Sequence, residues 1–495
     1  MGGDQRAQMA MGYRHLHGVG TPRSCAAAAL YYEAPAAKVV EIVRDPRLKG
    51  SHLGAVEKVR LTADMEGVDG ARRERDVVQY YQYSADMGNA DAATAIGQIL
   101  SVGAKGLRRD RARAYRYFTQ AAAQGDADAM AQLGHMFANG LGVKANNQTA
   151  IGLFRASAEK GNAGAQFGLG YMHLAGFGVE RNHKKAMNYF TKAAEQGSAE
   201  AQFHLGSMHA RGVGVKRDFT KAFYNFNLAA HQGHAVAVYN LAMMQLAGVG
   251  LPPSCKNAVV LLKGLAERGP WNRRVEAGHR AYKSRSYEKA LVNYMKAAET
   301  GLEVAQSNAA YVLENARDWW DGDDEQRQRR AIHYHRLAAD QGNVRSLLRI
   351  GDAYYFGNGV DAGVDRNKSA VVYLQASQKR SAQAMFNLGT MHEHGLGLPK
   401  DLHLAKRYYD MVLSADPKAW VPVKLALLKL QAHAWLEERI QAENGLWWAI
   451  RLGHAARSPD LMLAGACGVL LAVVVCLRGL VSLFALLDRP ARGRA

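Results

Sequence analysis

Glycine pairs spaced Gly-x-Gly are the first residues of this sequence that could do chemistry, because such loops can cradle phosphates. They begin at Gly140, Gly176 and Gly212 in the strings GLGV, GFGV and GVGV. A dinucleotide site needs a third glycine three residues on and a preceding strand, and neither accompanies these strings. The strings recur every 36 residues, which is typical of a structural turn, and no P-loop motif occurs. We therefore predict no cofactor site.

Two histidine pairs resemble metal-ligand motifs. His333 and His335 lie in HYH, and His392 and His394 lie in HEH. Residues two apart on a helix point in different directions, so neither pair is expected to chelate one ion. HExxH and GxSxG are absent, and no Cys/His or Ser/His pair stands out. The sequence predicts no metal ligands and no catalytic residues, and we expect a binding protein that is not an enzyme.

Two sequons mark candidate N-glycosylation sites, Asn147 in NQT and Asn367 in NKS. Both fall in the loop or first turn of a predicted helix, where the asparagine should be exposed. If this part of the chain faces a secretory lumen, both are candidate glycan acceptors.

The elements that must position these residues come from a repeat. Phrases ending in glycine recur at Gly125, Gly161, Gly197, Gly233 and Gly269, each 36 residues from the last. The Gly-x-Gly strings fall between them with the same period. Within one unit, apolar residues have helical spacing from Ala163 to Leu174 and again from about His183 to Glu195. Each unit is predicted to be a helix pair, in which small residues such as Gly170 allow close approach.

A single helix pair cannot bury its apolar face alone, so the pairs must stack into an all-α solenoid. The expected organisation is 1–42, an incomplete N-terminal repeat; 43–75, an irregular linker; 76–269, regular repeats; 270–345, divergent repeats with an insertion; 346–415, C-terminal repeats; 416–457, capping or amphipathic helices; 461–487, a membrane segment; and 488–495, a basic tail.

The four cysteines carry no CxxC motif. Cys467 and Cys476 lie in the hydrophobic segment, and Cys25 and Cys255 are 230 residues apart. A disulfide between Cys25 and Cys255 would have to span many stacked repeats, so we expect buried free thiols. The formal net charge of +19 is scattered in short clusters and comes with no nucleic-acid-binding motif, so nucleic acid is not an expected partner.

Residues 461–477 contain no charge and span roughly 25 Å as a helix, just enough for a thin bilayer. Four Lys and Arg residues follow the segment and two stand in 451–460. This bias predicts a cytosolic C-terminus and lumenal repeats. The alternatives are a buried hydrophobic helix and a tail anchor with cytosolic repeats. The preceding stretch 435–457 mixes tryptophans with charges, which suits either a membrane interface or a cap on the solenoid.

The period and the GxGV turn resemble the Sel-1-like repeat, which is related to the tetratricopeptide repeat. The segments 270–314 and 381–430, including DLHLAKRYYDM, further resemble the sel-1 homolog family. The likeness runs in order through nearly the whole chain and becomes looser after Gly445. The chain begins inside a repeat with no signal peptide before it, which we interpret as an incomplete N-terminus.

That resemblance implies a lumenal adaptor of the HRD ubiquitin-ligase complex in endoplasmic-reticulum-associated degradation (ERAD). Such an adaptor would be a single-pass type I protein of the endoplasmic reticulum membrane. It would hold the membrane RING ligase through about 346–457 and receive misfolded glycoproteins from lumenal lectins. A homodimer is a further candidate assembly. The alternative is a tail-anchored or cytosolic repeat scaffold for another multiprotein assembly.

Overall fold

The computed structural model describes residues 3–44, 60–61, 70–316, 319–320, 322–361 and 363–442. In these ranges the chain forms helices joined by short turns, and no strand occurs there, so the all-α prediction is confirmed. The helices are α1 (Gln5–His17), α2 (Cys25–Arg44), α3 (Gly70–Asp86), α4 (Ala90–Val102), α5 (Arg111–Ala123), α6 (Ala127–Asn139), α7 (Asn147–Glu159), α8 (Ala163–Ala175), α9 (His183–Glu195), α10 (Ala199–Arg211), α11 (Phe219–His231), α12 (Ala235–Ala247), α13 (Cys255–Ala266), α14 (Arg274–Lys283), α15 (Tyr287–Ala298), α16 (Glu303–Glu314), α17 (Asp324–Asp340), α18 (Val344–Phe356), α19 (Arg366–Gln378), α20 (Ala382–His394), α21 (Leu402–Ala415) and α22 (Trp420–Ala442).

Local capping explains where the paired helices begin and end. The Asn162 side chain accepts a hydrogen bond from the backbone N–H of Ala165 (2.9 Å) and starts α8. Helix α8 ends where Gly176 adopts a φ of 79°, a left-handed conformation that costs glycine little. Asn182 then caps α9 through the N–H of Lys185. The Gly-x-Gly string is therefore a helix end, as predicted.

Within a pair, a helical glycine lets an aromatic ring approach the neighbouring backbone. A Cβ atom added to Gly170 of α8 would lie 2.7 Å from the ring of Phe190 of α9. The same contact joins Gly206 of α10 to Phe226 of α11. Phe190 and Phe226 are both buried. The predicted role of small residues in close helix packing is thus confirmed.

Polar side chains also join the two helices of a pair. The side-chain amide of Gln196 donates to Gln166 Oε1 at 2.8 Å, and Gln232 makes the equivalent bond to Gln202 at 2.8 Å. The Ser157 hydroxyl donates to the carbonyl of Ala127 at 2.6 Å. These bonds satisfy the buried side chains of Ser157, Gln166 and Gln202 between the two helices of three pairs. They repeat with the sequence period, as expected for a solenoid.

The N-terminal pair, α1 and α2, does not stack in chain order. Helix α2 packs against α12 and α13, and its buried Tyr32 joins Leu262 in one apolar cluster. On the far side, Tyr13 of α1 packs against Gly301, and Arg14 forms an ion pair with Glu299 at 3.8 Å. The pair therefore lies between α13 and the helices that follow it.

This placement corrects the prediction for the cysteines. Cys25 begins α2 and Cys255 begins α13. Their Cα atoms are 6.1 Å apart, and the two residues form a disulfide. The expectation of free thiols was wrong because it assumed that spatial order follows chain order. Since the N-terminal pair packs beside α13, the bridge connects neighbouring helices.

Arg60 and Leu61, which lie between α2 and α3 in the sequence, contact residues of α16. The Arg60 guanidinium donates two hydrogen bonds to the Glu303 carboxylate, the first at 2.8 Å. The backbone N–H of Leu61 donates to the buried Asn308 side chain at 3.1 Å. Leu61 itself is buried beside α14–α17. The stretch 43–75 thus has an anchor point on α16.

The described chain divides into two compact units, and the second contains residues 354–356 and 364–442. Among the described helices, none combines the length and the hydrophobicity that a membrane-spanning helix requires. The segment 461–487 and the tail 488–495 lie outside the described residues, so the single-pass membrane helix stays a prediction.

Candidate partner-binding surface

Helix α22 closes the described part of the second unit. It packs on α21, and its inner face buries Val423, Ala426 and Leu430. These side chains share a cluster with Met385 of α20 and Tyr409 of α21. One side of α22 therefore caps the last helix pair.

The opposite side of α22 is also apolar, and it faces solvent. Leu425, Leu428 and Trp435 are 59%, 61% and 54% exposed. Spacings of three and seven place these residues on one side of a helix. We call them the terminal stripe. Contiguous exposed apolar surface bordered by polar residues marks interaction sites, so the stripe is the strongest candidate for partner binding in this unit.

Polar contacts fix how α22 lies on the last pair. Lys400, in the turn after α20, forms an ion pair with Glu437 of α22. The Tyr409 hydroxyl donates to Glu393 Oε2 at 2.8 Å, and Lys429 of α22 lies 3.2 Å from Oε1. Burial favours a raised pKa for Glu393, but the Tyr409 bond and the Lys429 charge outweigh it, so its pKa is lowered. The buried carboxylate is therefore ionised and holds α22 in place.

Sequence reasoning located this surface only in part. The stretch 435–457 was singled out, but of it only Trp435–Ala442 lies in the described residues. Leu425 and Leu428 were missed because WVPVKLALLKL is apolar on nearly all sides. Period alone does not say which apolar face of such a helix is covered.

The helix pairs coincide with a known repeat. The sequence profile of the family described as Sel1 repeat matches nine segments, which together make up more than half of the chain. The chain belongs to the Sel1 repeat family. The matched segments are 5–36, 90–126, 127–162, 163–198, 199–234, 235–270, 305–343, 344–377 and 382–411.

Curated Sel1 relatives carry the same sequence pattern. Protein sel-1 homolog 2 of Mus musculus is 48% identical over 434 residues, which are 87% of this chain and 62% of that protein. The Arabidopsis thaliana "ERAD-associated E3 ubiquitin-protein ligase component HRD3A" is 47% identical over 171 residues, 33% of this chain and 25% of that protein. The corresponding HRD3 of Candida glabrata is 40% identical over 153 residues, 30% of this chain and 18% of that protein. The chain thus spans less than two thirds of each relative. The predicted resemblance to the sel-1 homolog family is confirmed.

One Sel1 junction brings together a serine, a histidine and a glutamate that the sequence did not reveal. His335 Nδ1 lies 3.0 Å from Ser346 Oγ, and His335 Nε2 lies 3.0 Å from Glu314 Oε1. This order matches a hydrolytic triad. However, Ser346 is 1% exposed, so a substrate carbonyl cannot reach its hydroxyl here. The chain of bonds instead satisfies polar groups buried between Sel1 helices.

The two histidine pairs point apart, as the helical spacing predicted. His333 is exposed while His335 is buried. His392 is buried, stacks on Tyr408, and has Nδ1 3.2 Å from the Pro399 carbonyl. His394 lies on the other side, beside Glu393 and His433 of α22. Neither pair converges on a common point, although His394 meets groups from another helix.

The two sequons occupy equivalent places in their Sel1 repeats. Asn147 is the first residue of α7 and Asn367 the second residue of α19. Asn367 is exposed, whereas Asn147 is half-buried and packs beside Gly178 in the turn of the next repeat. The structure therefore favours Asn367 as the more accessible acceptor, and glycosylation at either stays a prediction.

Proposed function

We propose that this chain is a non-enzymatic adaptor of a ubiquitin-ligase assembly in the endoplasmic reticulum membrane. In this proposal the repeats face the lumen and recruit misfolded glycoproteins together with lectins. The terminal helix holds a membrane RING ligase, and the segment 461–487 anchors the chain. The HRD3 relatives of Arabidopsis thaliana and Candida glabrata, which are described as components of an ERAD-associated E3 ubiquitin-protein ligase, support this assignment.

The terminal stripe is the observation that carries the proposal. It presents large apolar side chains on the face of α22 opposite its buried face. It also comes shortly before the predicted membrane segment in the sequence. Tryptophan and leucine anchors on a positioned helix suit a helix-to-helix contact with a membrane partner.

The Cys25–Cys255 disulfide supports the lumenal orientation. Disulfides form and persist in oxidising compartments such as the lumen of the endoplasmic reticulum, and they are rare in the cytosol. The alternative hypothesis, a tail-anchored or cytosolic scaffold, would place this disulfide in a reducing environment.

The test is a pull-down of the full chain from detergent-solubilised membranes, with mass-spectrometric identification of partners. A double variant, Leu425→Glu with Leu428→Glu, charges the stripe and keeps good helix formers. We expect the native chain to recover a multi-spanning RING ligase and the double variant to lose it.

A matched control carries two glutamates elsewhere in the same unit. Val371 and Leu374 are exposed on α19 with the same spacing of three. Val371→Glu with Leu374→Glu should leave ligase recovery unchanged. If both double variants recover the ligase as well as the native chain, the stripe is not the contact. If the native chain itself recovers no ligase, the proposed function is wrong.

Orientation has a separate test. Glycosidase treatment of the protein from cells should shift its mobility, and Asn367→Gln should reduce that shift more than Asn147→Gln. Labelling of the repeats by a reagent confined to the cytosol would instead establish the tail-anchored or cytosolic alternative.

A further inference from the structure

Three potential metal ligands converge where α22 crosses the end of α20. Glu393 and His394 are the last two residues of α20, and His433 lies on α22. Glu393 Oε1 lies 3.8 Å from His394 Nε2 and 3.5 Å from His433 Nδ1. All three ligand atoms lie within 4.8 Å of one another. In a tetrahedral zinc site with bonds of about 2.0–2.1 Å, ligand atoms are roughly 3.3 Å apart, so the cluster is close to a chelating geometry.

The outer contacts leave the correct atoms available. The Tyr409 hydroxyl binds the other carboxylate oxygen, Glu393 Oε2, at 2.8 Å. Glu393 is fully buried, and its Oε1 makes no hydrogen bond to the described residues beyond the 3.2 Å ion pair with Lys429. His433 Nδ1 also has none, while its Nε2 lies 3.9 Å from Glu437 Oε1. A carboxylate near the remote nitrogen of a ligating histidine is the usual arrangement that orients the ring toward a metal.

An ammonium group already contacts two of the three potential ligand atoms. Lys429 Nζ is 2.9 Å from His394 Nε2 and 3.2 Å from Glu393 Oε1. The cluster is therefore already a position for a cation, filled by a tethered one. The Lys429 side chain is 57% exposed, so it can swing into solvent at small cost.

We propose that Glu393, His394 and His433 bind a zinc ion that replaces the Lys429 ammonium and links α22 to the last Sel1 pair. Mixed imidazole and carboxylate donors suit zinc, whereas calcium and magnesium take oxygen ligands. Three protein ligands leave a fourth position for water. The ion would fix the helix that carries the terminal stripe, but its binding does not depend on any ligase.

The experiment titrates the purified full chain with Zn²⁺ by calorimetry, and with Co²⁺ by absorbance as a spectroscopic probe. We expect one site that His433→Ala weakens by more than about 100-fold, because losing even an outer partner costs about 10–100-fold. The matched control His403→Ala removes an exposed histidine of α21 and should change nothing.

Lys429→Met gives the sharpest discrimination. It removes the competing ammonium and leaves all three ligands. Zinc affinity should therefore rise at least about tenfold, which is the size of effect that one residue next to a metal site typically has on metal affinity. Co²⁺ should give the intense visible bands of a tetrahedral site in this variant and lose them in Lys429→Met with His433→Ala. Zinc binding that is unchanged by His433→Ala, or no binding even by Lys429→Met, would overturn the proposal. Either result leaves the ligase pull-down unaffected, so the two proposals fail separately.

Discussion

The regular block α6–α13 and the N-terminal pair α1–α2 are built from the same kind of helix pair, yet they are placed differently. In the block, each pair packs on the pair that follows it in sequence. The N-terminal pair instead packs beside α13, more than 200 residues away, and is tied there by Cys25–Cys255. The period of a repeat determines how a pair forms, but the surface left uncovered decides where that pair stacks.

The two regions are also stabilised by different kinds of contact. The block depends on short-range contacts such as that between Gly206 and Phe226. The N-terminal pair depends on long-range ones: the disulfide, the Tyr13–Gly301 contact, and the anchor at Leu61. Because local contacts form without closing a long loop, the two regions should respond to different perturbations.

The largest effect is expected from a core substitution in the block. Phe226→Ala should lower local stability by about 3–5 kcal/mol, because it removes a buried ring and leaves a cavity against Gly206. Tyr224→Ala, in the same helix but 62% exposed, is the control and should cost little. Hydrogen exchange should show loss of protection in α10 and α11 with α1 and α2 unchanged. Equal effects of the two variants would contradict this packing.

Removing the Cys25–Cys255 disulfide should destabilise the N-terminal pair and leave the regular block unchanged. Cys25→Ser, Cys255→Ser and the double variant should each destabilise the attachment of α1–α2 by about 2–5 kcal/mol, because a very long loop is opened. Hydrogen exchange should rise in α1, α2 and α13 and stay low in α6–α9. The single and double variants should match, since either serine abolishes the same bond. Unequal effects would indicate that the thiols act separately.

These two regions show which structural features could be predicted from the sequence. Helix pairs, caps and the packing of Gly170 on Phe190 follow from residues within one unit, so periodicity was enough to predict them. The disulfide could not be predicted, since it depends on which pair covers α13, and that choice is made by surfaces 230 residues apart. The terminal stripe and the third member of the Glu393 cluster, His433, depend on how α22 lies on α20, which no local pattern specifies.

A third prediction concerns Leu61, which anchors the segment between α2 and α3 on α16. Leu61→Ala should cost about 2 kcal/mol, the low end for a buried leucine, because a single short segment can relax around the gap. We expect increased exchange in the middle of α16, around Asn308. Arg60→Ala, which removes a partly exposed ion pair with Glu303, should cost less than about 1 kcal/mol. A larger loss for Arg60 than for Leu61 would mean that charge, not burial, holds the segment.

The last effect appears only at acidic pH, and it occurs in both regions. Burial lowers the pKa of His204 in the block to about 4, and burial with the nearby Lys263 lowers that of His17 in α1 to about 4. Unfolded histidine binds a proton below about pH 6.5 while the folded group does not. Stability should therefore be lost as pH falls from about 6.5 to about 4, by about 1–3 kcal/mol per histidine.

His204→Phe provides the check on this assignment. It keeps a ring among Phe167, Phe190 and Phe203 and removes the titrating group. Acid sensitivity by hydrogen exchange should then fall in α8–α11 and persist in α1–α2. An unchanged pH profile in the block would show that His204 is not its source.

The placement of the N-terminal pair is the central claim, and peptide mapping tests it most directly. Protein from cells would be alkylated without reduction, digested and analysed by mass spectrometry. The structure predicts a cross-linked peptide that joins Cys25 to Cys255 and disappears after reduction. Recovery of both cysteines as separately alkylated peptides, with no linked form, would contradict the packing of α2 on α13 described above.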